Sequence, residues 1–371
     1  MSSLNYAQRQ FTTTHEGAKV RQIGVKQQLN RLVMANMLWE DQFYMDGQTS
    51  ATLIGALVKQ VDPEFTAQLA VKARTEMKLR HIPLLLVREL ARNKTLKAQT
   101  VVDVVQRPDE MPELLSIYWK DGKTAISTQL KKGLATAFSK FNEYSLAKWD
   151  KNSAAISMRD VMFLVHPKPV DEKQEALFKK VANKELVTPD TWETQLSAGA
   201  DKKETFERLM DEGKLGALAF LRNLRNMVQA GVDERIIREY ASLIDVSKVL
   251  PFRFLAAARV VPQFEDMLEA MLFRCTVNMP KLKGKTRLLV DVSSSMYQPK
   301  LSAKSDITRQ YASLALAMIC REICEEVEIF SFSGKALRIA PRRGFALADA
   351  IKNSQGCSGT DIGRSIRETD G

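Results

Sequence analysis

The chain has 371 residues, 45% of them hydrophobic, with 55 Lys and Arg against 44 Asp and Glu for a net charge of +11. That length allows two or three domains with substantial cores, while no run reaches the ~18 consecutive apolar residues that a membrane span needs. The opening MSSLNYAQRQ lacks a signal core. The four cysteines Cys275, Cys320, Cys324 and Cys357 form no Cys-x-x-Cys pair. Zinc and a disulfide framework are therefore disfavoured, and a reducing cytoplasm fits.

Residues 1–18 are polar and loose. From Lys19 the apolar residues recur at helical spacing almost without break. The spacing predicts helices over 28–38 (Leu29, Leu32, Val33, Met37), 50–60, 64–76, 82–91, 98–105, 113–120 and 125–141. Pro63, Pro83, Pro108, Pro112 and Gly122 punctuate them. Helices of this length with short connections point to an α-solenoid of stacked pairs, with a plain bundle as the alternative. Further helices are predicted over 158–165, ending at His166-Pro167, and over 172–186. Thr188-Pro189-Asp190 is a helix start. Along 215–228, Leu218, Leu221, Leu224 and Val228 would form the core stripe, with Arg222 and Arg225 sharing another face. Helices over 234–243, 251–260 and 264–273 follow, then a linker over 279–285.

After the linker the pattern changes to α/β. A strand is predicted at 287–290, a helix at 307–325 carrying Cys320 and Cys324 as core thiols one turn apart, a strand at 327–332, a hairpin partner at 335–339 and a short helix at 345–351. This divides the chain into a helical part, 1–284, and an α/β part, 285–371. From Lys285 onward there are 13 basic and 10 acidic residues, so +8 of the +11 belongs to the helical part. Such an excess suits a polyanionic partner and suits plain solubility equally.

The strand runs into Asp291-Val292-Ser293-Ser294-Ser295. Asp291, Ser293 and Ser295 alternate, so in extended backbone they face one way and offer a carboxylate and two hydroxyls. Hard oxygen donors at the carboxyl end of a strand suit a small octahedral cation such as Mg²⁺; a Ser-rich turn is the plainer alternative. Thr360, after a Gly/Ser/Asn-rich loop, adds a hydroxyl. The order D-x-S-x-S followed by a loop Thr resembles the metal-ion-dependent adhesion site of von Willebrand factor A domains. The resemblance assigns Asp291, Ser293, Ser295 and Thr360 as metal ligands. It covers 285–371 only, part of that fold, and Asp370 is not given the family's third-loop role because no strand separates it from Thr360. With so few carboxylates, binding is expected to be water-rich and on the order of millimolar.

In the helical part, THEG (14–17), LWEDQFY (38–44), KLRHIPLLLVRE (78–89), MRD (158–160) leading to HPK (166–168), GALAFLRNLRN (216–226) and LPFR (250–253) occur in this order. Together, and followed by the A-type motif, they resemble the TROVE module of the Ro autoantigen family, its bacterial members in particular. The resemblance implies a mainly α protein, a ring or horseshoe of HEAT-like repeats followed by a partial α/β, Rossmann-like A domain. It implies a monomeric, non-enzymatic RNA-binding ribonucleoprotein scaffold. Small structured Y or Y-like RNA would bind the outer surface and single-stranded ends of misfolded RNA a basic central hole. The setting would be RNA quality control or processing, with an exoribonuclease as partner.

On that reading Lys140 and His166 match the outer basic positions, and Arg159 lies in the same hairpin. Another family basic position is not matched; Asn142, Glu143 and Tyr144 occupy the region. Arg80, His81 and Arg88 form a second set, Arg222 and Arg225 a third. Each has a plainer alternative: Lys140 on a solvated helix surface, His166 as a cap, Arg80 and Arg88 paired with Glu76 or Glu89, and Arg222 and Arg225 with carboxylates elsewhere. Trp39, Phe43 and Tyr44 are expected to pack in the core, and His15 to make a structural hydrogen bond. No Ser/His/Asp or Cys/His arrangement is evident, and three His leave little acid–base machinery. A metal-dependent, adhesion-type protein-interaction module remains the alternative function. A metal-dependent nuclease would need a cluster of carboxylates that the sequence does not offer.

Overall fold

The computed structural model describes residues 23–35, 47–150, 155–298, 300, 307–356 and 359–369. The expectations for His15, Trp39, Phe43, Tyr44 and Asp370 lie outside these residues. The chain forms two compact units, Met1–Pro189 and Asp190–Gly371.

The first unit is all helical among its described residues: α1 (Val25–Ala35), α2 (Gly47–Val58), α3 (Pro63–Thr75), α4 (His81–Arg92), α5 (Ala98–Val104), α6 (Glu110–Tyr118), α7 (Thr128–Phe138), α8 (Glu143–Trp149), α9 (Met158–Val165) and α10 (Glu172–Asn183). Alternate helices stack. α2 packs on α4 and α4 on α6; α1 packs on α3, α3 on α5 and α5 on α7. The result is two layers, and α9 touches both α6 and α7. This is the pairwise stacking expected of a solenoid. One core runs between the layers, with Leu84, Leu85, Leu86, Val101, Leu114, Leu130, Leu134 and Phe138 fully buried. Gly133 permits the close crossing of α7 on α5, since a Cβ there would stand 2.5 Å from Val101 Cβ and 2.6 Å from Ala98 O.

Helix ends follow their caps. Ser157 Oγ accepts from Asp160 N at 3.1 Å, and an Asp160 oxygen accepts from Ser157 N at 2.8 Å, a capping box that starts α9. His166 ends it in the left-handed region, φ 50°, with Pro167 next. α9 therefore has the predicted bounds. The predicted helix over 125–141 is shorter, because Ser127 caps α7 and the chain turns after Phe138.

The second unit contains α11 (Trp192–Ser197), α12 (Lys202–Asp211), α13 (Ala217–Gln229), α14 (Glu234–Leu243), α15 (Phe252–Ala258), α16 (Glu265–Thr276), β1 (Leu282–Asp291), α17 (Arg309–Ile323), β2 (Cys324–Phe332), β3 (Ala336–Arg338), α18 (Gly344–Lys352) and α19 (Ile362–Thr369). β1 and β2 are parallel, in register at Asp291↔Phe332, with α17 as the crossover; β3 pairs antiparallel with β2. Two expectations are corrected. Leu282–Lys285 belongs to β1 rather than to a linker, because it pairs with the start of β2 across a bulge. Cys324 opens β2 instead of sharing a helix with Cys320; it is buried, and Cys320 is half-buried.

The helices before residue 277 and the α/β elements share one hydrophobic core, in which Leu268 and Leu272 join Val292, Met318, Leu347 and Ile351. The carboxylate of Glu269 on α16 accepts from Phe345 N at 2.7 Å, at the N-terminus of α18. Gly344, φ +55°, makes room: a Cβ there would sit 1.8 Å from Glu269 Oε1. The compact unit thus extends across the change of pattern at residue 284.

Candidate nucleic-acid interface

Most of the cations singled out in the first unit are already partnered. Arg80 bridges Asp109 at 2.7 Å and Glu113 at 2.8 Å, and His81 Nε2 meets Glu113 at 2.6 Å. Burial raises the Glu113 pKa, but the His81 hydrogen bond and the Arg80 charge outweigh it and hold the carboxyl below its ordinary range. Arg88 is buried and pairs with Asp121, which Arg92 also meets at 2.8 Å. Deeper still, fully buried Glu110 takes Arg74 at 2.6 Å and the backbone N–H groups of Gln106 at 2.7 Å and Arg107 at 3.1 Å. Arg80 and Arg88 thus do pair with carboxylates, Arg80 with Asp109 and Glu113 in place of Glu76.

Lys140 is not a free surface cation. The residue as a whole is exposed, but its Nζ donates to Val102 O at 2.7 Å and Val105 O at 2.6 Å. It caps the C-terminal carbonyls of α5. Burial pushes its ammonium pKa down. On α9 the situation differs. Arg159 is exposed; its Nε donates to Ala182 O at 2.6 Å and its guanidinium lies 4.9 Å from the Phe163 ring centre. His166 is exposed at the end of the same helix. Asn142 caps α8, and Glu143 takes Lys180 at 2.8 Å, so neither adds positive charge.

In the second unit the core stripe of α13 keeps Leu221 and Leu224 of the predicted one but not Leu218 and Val228. Ala217, Phe220, Leu221, Leu224 and Met227 are buried, whereas Leu218 is 46% and Val228 37% exposed. Spacing alone permits either stripe, and Phe220 decides between them by filling the core. Arg222 and Arg225 are exposed, and neither meets a carboxylate among the described residues. With Arg253 of α15 they rim a cleft of about 210 Å³ floored by Leu218, Leu221, Leu224, Ala257 and Val261. Burial, and then the charge of Arg222, pushes the Arg253 guanidinium pKa below its ordinary value. Three cations around an apolar floor can hold a phosphate and accept an adjoining flat, apolar group. Arg253 was not singled out as a contact; its signal is the Leu250–Arg253 phrase already noted.

The hydroxyl loop lies at the carboxyl end of β1. Asp291 is half-buried and its Oδ1 accepts from Ser293 N at 2.8 Å; Ser293 Oγ, on a buried residue, is 3.1 Å from Ser295 Oγ. The register places Ser333, just past β2, at the same end of the sheet. Ser333 Oγ donates to Gly359 O at 2.9 Å and its carbonyl accepts from Asp361 N at 2.9 Å, which brings the exposed Thr360 loop there. Asp361 Oδ1 accepts from Arg364 N at 2.8 Å, starting α19. One carboxylate and three hydroxyls are the hard donors that Mg²⁺ takes. Among the described residues no group of three or more His, Cys, Asp or Glu is placed to hold a metal, and no helix is long and apolar enough to cross a membrane.

Residues 182–328, which contain the arginine cleft, match the TROVE domain. The mouse (Mus musculus) telomerase protein component 1 is 34% identical over 91 residues, 23% of this chain and 4% of that protein. The rat (Rattus norvegicus) counterpart is 29% identical over 120 residues, 31% of this chain and 4% of that protein. The chain therefore spans only a small part of these relatives. The crystal structure of the Deinococcus radiodurans Ro (Rsr) protein superposes with a TM-score of 0.63 at 18% identity, over 91% of this chain and 81% of that one. At that identity the likeness is one of fold. What this chain shares with these proteins is TROVE-like sequence over residues 182–328 and a Ro-like fold, mainly helical with a small α/β sheet.

Proposed function

We propose that this chain is a non-catalytic RNA-binding scaffold, in which Arg222, Arg225 and Arg253 hold the backbone of a single strand. The observation that carries this reading is the pair of exposed arginines that meet no carboxylate among the described residues, beside a third, in the segment that matches the TROVE domain. A cation already spent on a carboxylate gains little from a phosphate, whereas a free one releases the counterions that drive binding. The same reading takes single-stranded ends of misfolded RNA as the ligand of this cleft. A small structured, Y-like RNA would bind around Arg159 and His166. The setting is cytoplasmic RNA quality control, with the chain acting as a monomer beside an exoribonuclease. Asp291, Ser293, Ser295 and Thr360 would hold Mg²⁺, which when bound supplies charge that orders the two loops; Asp291→Ala is expected to leave RNA affinity nearly unchanged.

The test is filter binding of a single-stranded RNA to Arg222→Glu with Arg225→Glu. Both side chains are exposed, so circular dichroism should be unchanged while affinity drops by about a hundredfold, the sum of two reversed charges at a phosphate-binding cleft. Unchanged affinity in a folded double variant would sink the assignment.

A further inference from the structure

We propose that the exposed side of α9 made by Arg159, Phe163 and His166 is a stacking platform for one unpaired base of bound RNA; this rests on the RNA-binding reading above. Arg159 and Phe163 are spaced i, i+4, so they share one side of the helix, and His166 follows as its C-cap. The opposite side is the core side, where Met158, Val161, Met162 and Val165 are buried. Phe163 takes no part in that core and is 50% exposed. A phenyl ring has no hydrogen-bonding group, so what covers it must be flat and apolar on its face.

The surroundings say which flat group. The Arg159 guanidinium is 4.9 Å from the ring centre, and its Nε is fixed by Ala182 O at 2.6 Å. Its terminal amino groups have no other partner among the described residues and remain available to a phosphate. His166 adds a second exposed ring with two nitrogens. It sits at φ 50°, a backbone region that glycine adopts more cheaply, so the position carries a strained residue with an imidazole. Lys168, two residues after His166, is exposed, and so is Lys184, two residues past Ala182. The one carboxylate on this helix, Asp160, is engaged by Ser157. A hydrophobic ring flanked by cations, with no free carboxylate on the helix, complements a nucleobase attached to phosphates better than an acidic or apolar peptide. The base must be unpaired and splayed out, because a ring stacks only on a free base face.

The experiment uses the full chain carrying Arg222→Ala and Arg225→Ala as the parent protein, so that the arginine cleft does not hold the strand, with a short oligouridine and the matching abasic ribose-phosphate oligomer. Phe163→Ala should weaken oligouridine binding about tenfold and leave binding of the abasic oligomer unchanged, with unaltered circular dichroism because the side chain is outside the core. Phe163→Trp should restore affinity, and its added fluorescence, relative to the wild type with its four tryptophans, should be quenched by oligouridine only. If the wild type binds neither oligomer at low salt, the RNA reading fails and takes the platform with it. If the wild type binds but the parent does not, or if Phe163→Ala in the parent binds oligouridine equally well or loses both oligomers equally, the platform alone is overturned.

Discussion

In the first unit Arg80, His81, Arg88 and Lys140 each end on an oxygen of the protein itself, whether Asp109, Glu113, Asp121 or the carbonyls of Val102 and Val105. In the second, Arg222 and Arg225 stand exposed with no carboxylate partner among the described residues. Both regions are rich in basic residues, and by sequence they were equal candidates. The difference lies in availability. A guanidinium held by two carboxylates contributes to the fold and little to the surrounding field, while an unpartnered one beside an apolar cleft offers charge to a ligand. The net charge of +11 therefore overstates how much of the surface can meet a polyanion, and it does not say where.

The sharpest way to break this contrast is inside the first unit. Glu110→Ala leaves Arg74, whose side chain is only 12% exposed, without its partner and the N–H groups of Gln106 and Arg107 without an acceptor. It should destabilise the first unit by about 3–5 kcal/mol, read by urea denaturation; a loss under ~1 kcal/mol would show that the buried network is not holding the fold. Next comes Gly133→Ala, which drives a methyl into Val101 and the Ala98 carbonyl and should cost about 1–3 kcal/mol. Lys140→Ala should cost about 1–2 kcal/mol through lost hydrogen bonds to the carbonyls ending α5, with RNA affinity almost unaltered. A strong RNA defect with unchanged stability would return Lys140 to the interface. The smallest effect concerns pH. The Glu113 carboxyl is held below its ordinary range in the folded chain, so its contribution is present above the unfolded value and is lost as pH falls through the folded one. The thermal midpoint should decline on acidification below about pH 4.5, and Glu113→Gln should flatten that decline.

Much of the fold was readable because some signals are local. Helix α9 is bracketed by a Ser-x-x-Asp box and by His166-Pro167, and α14 by the Asp233 cap, so both have the predicted bounds. The parallel strand, crossover helix and strand of the second unit follow from β-branched runs around an apolar helix. α8 was missed because it has only 7 residues, and α12 because it is highly polar; in α12 the burial of Phe206, Leu209 and Met210 is set by neighbours rather than by a continuous stripe. The site was less legible. Arg80 and Asp109 are 29 positions apart, and Lys140 reaches carbonyls 35 and 38 positions back. No spacing rule reveals such pairings. Arg253 was hidden between Phe252 and Phe254 on a short apolar helix.

The central claim is that RNA affinity comes from unpartnered arginines in the second unit and not from the paired cations of the first. The salt dependence of single-strand RNA binding tests it most directly, since the slope of log K against log salt changes by about 0.7 for each phosphate contact removed. The triple variant Arg222→Ala, Arg225→Ala, Arg253→Ala should lower that slope by roughly 2, while Arg80→Ala with His81→Ala should leave it at the wild-type value. The opposite pattern, a slope unchanged in the triple variant and reduced in the double, would contradict the account.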